Sequence, residues 1–271
     1  MASFGPCDSA VYGILRRSRR VWAVASVHGD SDRLAALHRA IAPRLAAGDR
    51  LVYLGNLLGR GRAIVESVDE ALRFRALFLA RPLAFVGDVV FLRGAQEEMW
   101  QKLLELQFAP NPREVLSFML EQGVGATIEA FGGDRRQGEA ACRDGPLAIT
   151  RWTSALRQRL NQTQGHSAFM ASLRRAAFTD ESTLLFVHAG LDAAKPLDLQ
   201  GDAFWWGGGA FLELERPYGS YRRVVRGFDR RHAGLVEGLH ALSVDGGCGF
   251  GGALIAVCLG SDGTILDGLE A

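Results

Sequence analysis

Short apolar runs that close on glycine, histidine or asparagine recur through the first hundred positions. Val21 to Val27 (VWAVASV) closes on His28-Gly29-Asp30, and Leu34, Leu37 and Ile41 follow at near-helical spacing until Pro43 interrupts it. Arg50 to Leu54 closes on Gly55-Asn56, after which Ile64, Val65, Val68, Leu72 and Leu79 mark a longer helix. Val89 to Leu92 closes on Arg93-Gly94-Ala95-Gln96-Glu97, and Met99, Leu103, Leu104 and Leu106 start another. Three strand-helix units in a row predict a largely parallel sheet with covering helices. From about Asn111 to Phe178 the period turns helical, around Val115 to Leu120, Trp152 to Leu160 and Phe169 to Ala177, which predicts a mainly helical cap insertion at about 111–178. Inside it, the Gly- and Arg-rich stretch Gly132 to Gly145 reads as an exposed, mobile loop. Strand-length runs return at Thr183 to Val187, Tyr221 to Arg226, Ala241 to Val244, Ala253 to Leu259 and Thr264 to Leu266.

Composition narrows the class. At 271 residues with 48% hydrophobic and 23% charged positions, the chain reads as one globular α/β domain over 1–271. A net charge of +1 supplies no field to draw it onto nucleic acid or anionic lipid. Lys102 and Lys195 are the lysines, and an arginine bias this even reads as coding composition. The run Arg16-Arg17-Ser18-Arg19-Arg20 reads as a solvated face. No run approaches the roughly 18 apolar residues of a membrane span. The N-terminus has no basic region followed by an apolar stretch, so a cytoplasmic location is expected. Cys7, Cys142, Cys248 and Cys258 form no CxxC pair and read as reduced thiols.

The candidate chemistry lies at the strand ends: His28-Gly29-Asp30, Gly55-Asn56, Gly94-Ala95-Gln96-Glu97 and His188-Ala189-Gly190. Loops at the carboxyl ends of strands in such sheets converge on one crevice. Here the chain resembles the calcineurin-like metallophosphoesterases, in the branch of serine/threonine protein phosphatases and symmetrical dinucleoside tetraphosphatases, from about Val21 to Gly268. That family carries GDxHG, GDxxDRG, GNHE, HAG and GH. Here the stretches read Ala25-Ser26-Val27-His28-Gly29, Gly55-Asn56-Leu57-Leu58-Gly59-Arg60-Gly61, Gly94-Ala95-Gln96-Glu97, His188-Ala189-Gly190 and Gly227-Phe228. The resemblance implies a four-layer α/β/β/α sandwich with a helical cap. It places the six metal-ligand positions at Ser26, His28, Asn56, Ala95, His188 and Phe228, of which only the two histidines are unchanged. Ser26, Ala95 and Phe228 are lost ligands, since hard divalent cations need anionic oxygens to offset their dehydration. The proton-transfer pair has become Gln96 and Gly59, and glutamine moves no protons near neutral pH. Of the phosphate clamp Arg60 remains, while its second arginine position is Gly207.

Each position also has a plainer reading. His28 and His188 either keep a vestigial metal with Asn56 or Asp30 as third donor, or are hydrogen-bonded in a polar crevice. Arg60 either forks onto an anion or pairs with Glu97 or another local acid. Asp30 and Asp32 start a helix. The stretch Trp205-Trp206-Gly207-Gly208-Gly209 reads as buried aromatics beside a flexible loop rather than a pocket wall. His38, His166, His232 and His240 read as ordinary. The functional expectation is a catalytically inactive phosphoesterase-fold binding or regulatory module for a protein partner or a phosphorylated or anionic ligand. It uses no cofactor, no nucleic acid and no membrane. One alternative is an active phosphoesterase with an altered manganese, iron or zinc centre; another is a structural subunit of an assembly.

Overall fold

In the computed structural model, which describes residues 8–207 and 210–271, the apolar runs pair into two sheets. Cys7, Gly208 and Gly209 lie outside the described residues. The chain enters through α1 (Asp8–Val11) and β1 (Tyr12–Leu15), then runs β2 (Arg20–Val24), α2 (Ser31–Ile41), β3 (Asp49–Tyr53), α3 (Ile64–Leu79), β4 (Val89–Phe91) and α4 (Ala95–Leu104). Strands β2, β3 and β4 lie parallel, as the repeated strand-helix pattern requires. Asp30 caps α2 by accepting the Arg33 N–H at 3.1 Å, which places the acidic pair in the role expected of it.

The cap comprises α5 (Pro112–Glu121), α6 (Val124–Ala130), α7 (Arg135–Asp144), α8 (Pro146–Gln162) and α9 (His166–Ser172). Two expectations are corrected here. Gly132 to Gly145 is not a mobile loop, because most of it is α7. Asp134 caps that helix, and Gly138 gives Trp152 of α8 room to pack, since a Cβ there would sit 2.6 Å from the indole. Nor does the helix around Phe169 reach Ala177. It stops at Ser172, and Ala176 and Ala177 belong to β5 (Ala176–Thr179), all of it buried.

The rest of the chain is β6 (Leu184–Val187), α10 (Ala203–Trp206), β7 (Arg223–Arg226), β8 (Gly234–Glu237), β9 (Ala241–Asp245), β10 (Ile255–Gly260) and β11 (Ile265–Glu270). One sheet is ordered β11-β10-β2-β3-β4 and the other β1-β5-β6-β7-β9-β8. Strands β3 and β10 are buried throughout; β10 (IAVCLG) reads as an unbroken apolar run, while β3 opens on Asp49 and Arg50, which pair with Arg20 and Asp88. The main core joins Leu34 and Leu37 of α2 and Val68 and Phe74 of α3 to the first sheet, and that sheet to the second. The period of two is explicit in β6. Leu184 and Phe186 join the main core, while Leu185 and Val187 join a second core with Phe204, Trp205 and Tyr221. The helical cover of that outer face is thin: α10 and two short 3-10 turns, Leu197–Leu199 and Phe211–Glu213. Among the described residues no helix is long and apolar enough to cross a membrane. The carboxyl ends of β2, β3, β6 and β7 face one another, and this places the motifs.

Candidate functional site

The loops after β2 and β3 are tied together by backbone. Val27 and His28 both donate N–H to the Asn56 carbonyl, at 3.0 and 2.7 Å, and Ser26 donates to Gly227 at the end of β7. His28 (φ 54°) and Asn56 (φ 55°) are left-handed, a conformation few non-glycine residues adopt and one that turns both side chains into the crevice. Glu97 anchors the arrangement. Wholly buried, it accepts the N–H groups of Asn56, Leu58 and Gly94 at 2.8–2.9 Å. Burial pushes its carboxyl above the usual range, and those three N–H bonds pull it back. Arg60 therefore does not pair with Glu97. It is exposed, reaches the Glu121 carbonyl at 3.4 Å and lies 4.6 Å over the ring of Phe250.

Hydrogen bonds assign the donor set. The Gln96 N–H donates to Asn56 Oδ1 at 2.9 Å, which leaves the Asn56 Nδ2 group facing His28 Nε2 at 3.3 Å. Gln96 Nε2 donates to the Gln122 carbonyl of the cap at 2.8 Å. His188 Nδ1 meets the Leu54 carbonyl at 2.7 Å and so carries the proton, leaving Nε2 as a lone pair. His188 Nε2, His28 Nδ1, Ser26 Oγ and Gln96 Oε1 are buried without partners among the described residues. Burial above all, then the fields of His188, Arg60 and His232, pushes His28 down to about 3. Burial likewise takes His188 to about 4, against the pull of its bond to Leu54. Both rings are neutral near pH 7.

Phe228 fills the space among these groups. Its ring stacks on His188 at 5.5 Å, meets His28 edge-on at 5.9 Å and meets His232 edge-on at 5.7 Å. Ala95 adds only a buried methyl. At Gly59 (φ 130°) a Cβ would stand 2.6 Å from His28 Nδ1 and 2.9 Å from Gln96 Cγ. At Gly207 a Cβ would meet the Ala189 carbonyl at 2.8 Å, so no second clamp arm extends from there.

The result is an open crevice of about 500 Å³, whose lining includes His28, Asn56, Arg60, Gln96 and Phe228. Two expectations fail at its rim. His232 is not ordinary: its ring lies 4.1 Å from that of Phe250, and its Nδ1 bonds Asp245 Oδ2 at 2.8 Å. Trp206 lines the crevice, while its neighbour Trp205 is buried as expected. Arg230 joins the lining from the same loop as His232. The sequence signal for this loop was the charged run Asp229-Arg230-Arg231-His232 directly after a strand end. Among the described residues no carboxylate lines the crevice. A wider groove of about 1630 Å³ passes Asp180, Glu213 and Tyr221, and none of the motif residues lines it.

No family model matches the chain, and no curated protein matches it. Solved structures do. A protein assigned as a diadenosine tetraphosphatase superimposes with a TM-score of 0.54 at 19% identity, covering 96% of this chain and 98% of that one. The chain shares the fold of that structure. A Saccharomyces cerevisiae serine/threonine phosphatase with similarity to human PP5 gives 0.48 at 14% identity, over 92% of this chain and 76% of its own. A mutant cold-active protein tyrosine phosphatase gives 0.47 at 14% identity, over 99% and 85%. At a TM-score of 0.54 and 19% identity the diadenosine tetraphosphatase shows the fold alone and leaves the chemistry to the residues.

The two-metal centre of a metallophosphoesterase does not fit these residues. Asn56 Oδ1 is already an acceptor, His28 Nε2 faces an amide N–H, and Phe228 stacks where a donor would be needed. Among the described residues no three His, Cys, Asp or Glu side chains gather to hold an ion. Among the described site residues, what is free is one imidazole lone pair on His188, one hydroxyl on Ser26, one amide oxygen on Gln96 and the Nδ1–H of His28.

Proposed function

We propose that this protein holds a phosphorylated or other anionic ligand in the strand-end crevice and does not hydrolyse phosphoesters by two-metal chemistry. The observation that carries the reading is the crevice lining. Arg60 and Arg230 face it with no carboxylate among the lining residues, above a floor closed by Phe228. A guanidinium without a carboxylate partner keeps its planar fork of donors for an incoming anion. Phe118, Trp206 and Phe250 add apolar walls, which exclude water and strengthen each charge-assisted bond. The fold and the motif positions support descent from a hydrolase scaffold; the edited donors support a change from hydrolysis to binding.

The test is calorimetry with inorganic phosphate and pyrophosphate on the wild type and Arg60→Ala. Binding by the wild type is expected, weakened at least about tenfold in the variant, the scale of one charge-assisted contact. Turnover of an aryl phosphate is expected to stay at the buffer rate with added manganese, iron or zinc. Metal-dependent turnover removed by a chelator would overturn the reading. One observation favours a second: Nδ1 of His188 on a backbone carbonyl with Nε2 free is how metal-bearing histidines are held. Stoichiometric metal in the purified protein by elemental analysis would favour that single-ion enzyme.

A further inference from the structure

The histidines at this crevice differ in what they can reach. His28 and His188 are sealed, at 1% and 0% exposure. The side chain of His232 is 22% exposed and stands at the open rim. Its ring is fixed on three sides. Phe250 and Phe228 pack against it, and Asp245 Oδ2 accepts Nδ1–H at 2.8 Å. Asp245 cannot swing away, because it also accepts the N–H groups of Asp229 at 2.7 Å and Gly247 at 2.9 Å. With Nδ1 as the donor, the lone pair is on Nε2, at the far edge of the ring. His232 is itself left-handed (φ 50°), an unusual backbone for a β-carbon-bearing residue, here serving to project the ring.

A carboxylate-held imidazole with an open Nε2 is an activated nucleophile, and this one shares the crevice with two arginines and, among the described residues, no lining carboxylate. We propose that Nε2 of His232 is a phosphoryl acceptor, taking the phosphoryl group of an acyl phosphate held by Arg60 and Arg230. The Nε2 lone pair forms the P–N bond as the P–O bond to the acyl oxygen breaks. The leaving carboxylate departs with that electron pair and needs no proton. The Nδ1–H stays in place, and Asp245 balances the positive charge on the ring. The guanidinium groups neutralise the phosphoryl oxygens, and no metal enters the step. The inference rests on reading the crevice as an anion site.

His240 provides an internal control. Its Nδ1 bonds a neutral carbonyl, that of Arg222, at 3.0 Å, and it stands outside the crevice. The full chain would be incubated with acetyl phosphate and followed by intact mass spectrometry, with peptide mapping under alkaline conditions. One acid-labile phosphoryl group per chain is expected on His232, at least about ten times faster than on His240. It is expected to be absent in His232→Asn, a replacement chosen because asparagine tolerates the left-handed backbone. Asp245→Asn, Arg60→Ala and Arg230→Ala should each slow labelling about tenfold or more, with circular dichroism melts showing that each variant is folded. Equal labelling of His240 and His232, or labelling that persists in His232→Asn, would overturn the proposal. Phosphate binding by calorimetry without labelling would overturn this proposal and leave the anion site standing. Neither binding nor labelling would overturn both.

Discussion

Glu97 shows how a residue can be essential to a site without facing its ligand. Three backbone N–H groups from two loops converge on one buried carboxylate. Glu97→Ala strands all three and leaves a cavity, so a loss of about 3–5 kcal/mol in urea unfolding is expected. Glu97→Gln keeps the shape but turns an NH2 group toward N–H donors, and about 1–3 kcal/mol should go. At this scale the sequence was readable where chemistry follows a strand end in a spaced motif, as at His28, Asn56, Gln96 and His188. It was not readable at His232. The partner that gives that ring its orientation, Asp245, stands at the end of another strand, and only the sheet brings the two together.

The elements most visible in the pattern were those with a clean period: the three strand-helix units, and β10 with its unbroken burial. Helix α7 was hidden because its sequence, RRQGEAACRD, carries a central glycine and a polar surface. Its stability is tertiary, from Gly138 against Trp152 and from the buried Ala141 and Cys142. Gly138→Val should therefore destabilise the cap by about 1–3 kcal/mol through overpacking, against the gain expected from helix propensity alone. Asp134→Ala should remove about 1 kcal/mol by uncapping the helix. Hydrogen exchange, read peptide by peptide, would place both losses in α7 and α8 and leave the sheets protected.

For the whole molecule, acid sensitivity follows from neutral histidines held in the interior. The unfolded chain protonates His28, His38 and His188 near the ordinary value of 6.5, whereas burial keeps all three lower in the fold and takes His28 and His188 to about 3 and 4. Below pH 6.5 the unfolded state thus binds more protons, and stability, full above that point, falls as the pH falls. Each ring contributes up to about 1.4 kcal/mol per pH unit. Urea midpoints measured from pH 7 to 5 should drop steadily, and His28→Asn should flatten the slope. The strand pattern alone gave one largely parallel sheet; the second sheet was legible through the resemblance that the spaced motifs carry. The slender cover on the outer face of the second sheet was not, because its α10 and 3-10 turns are too short to show a period.

Position 59 limits what the crevice can become. A glycine there lets His28 and Gln96 close over the space that a side chain would need, with Cβ contacts of 2.6 and 2.9 Å and a backbone angle of 130°. Once the neighbours have settled into that space, no single codon change can refill it without strain. The glycine acts as a ratchet. Any side chain at 59 requires His28 and Gln96 to retreat first. Variation is then freer to elaborate the mouth of this crevice than to rebuild its floor.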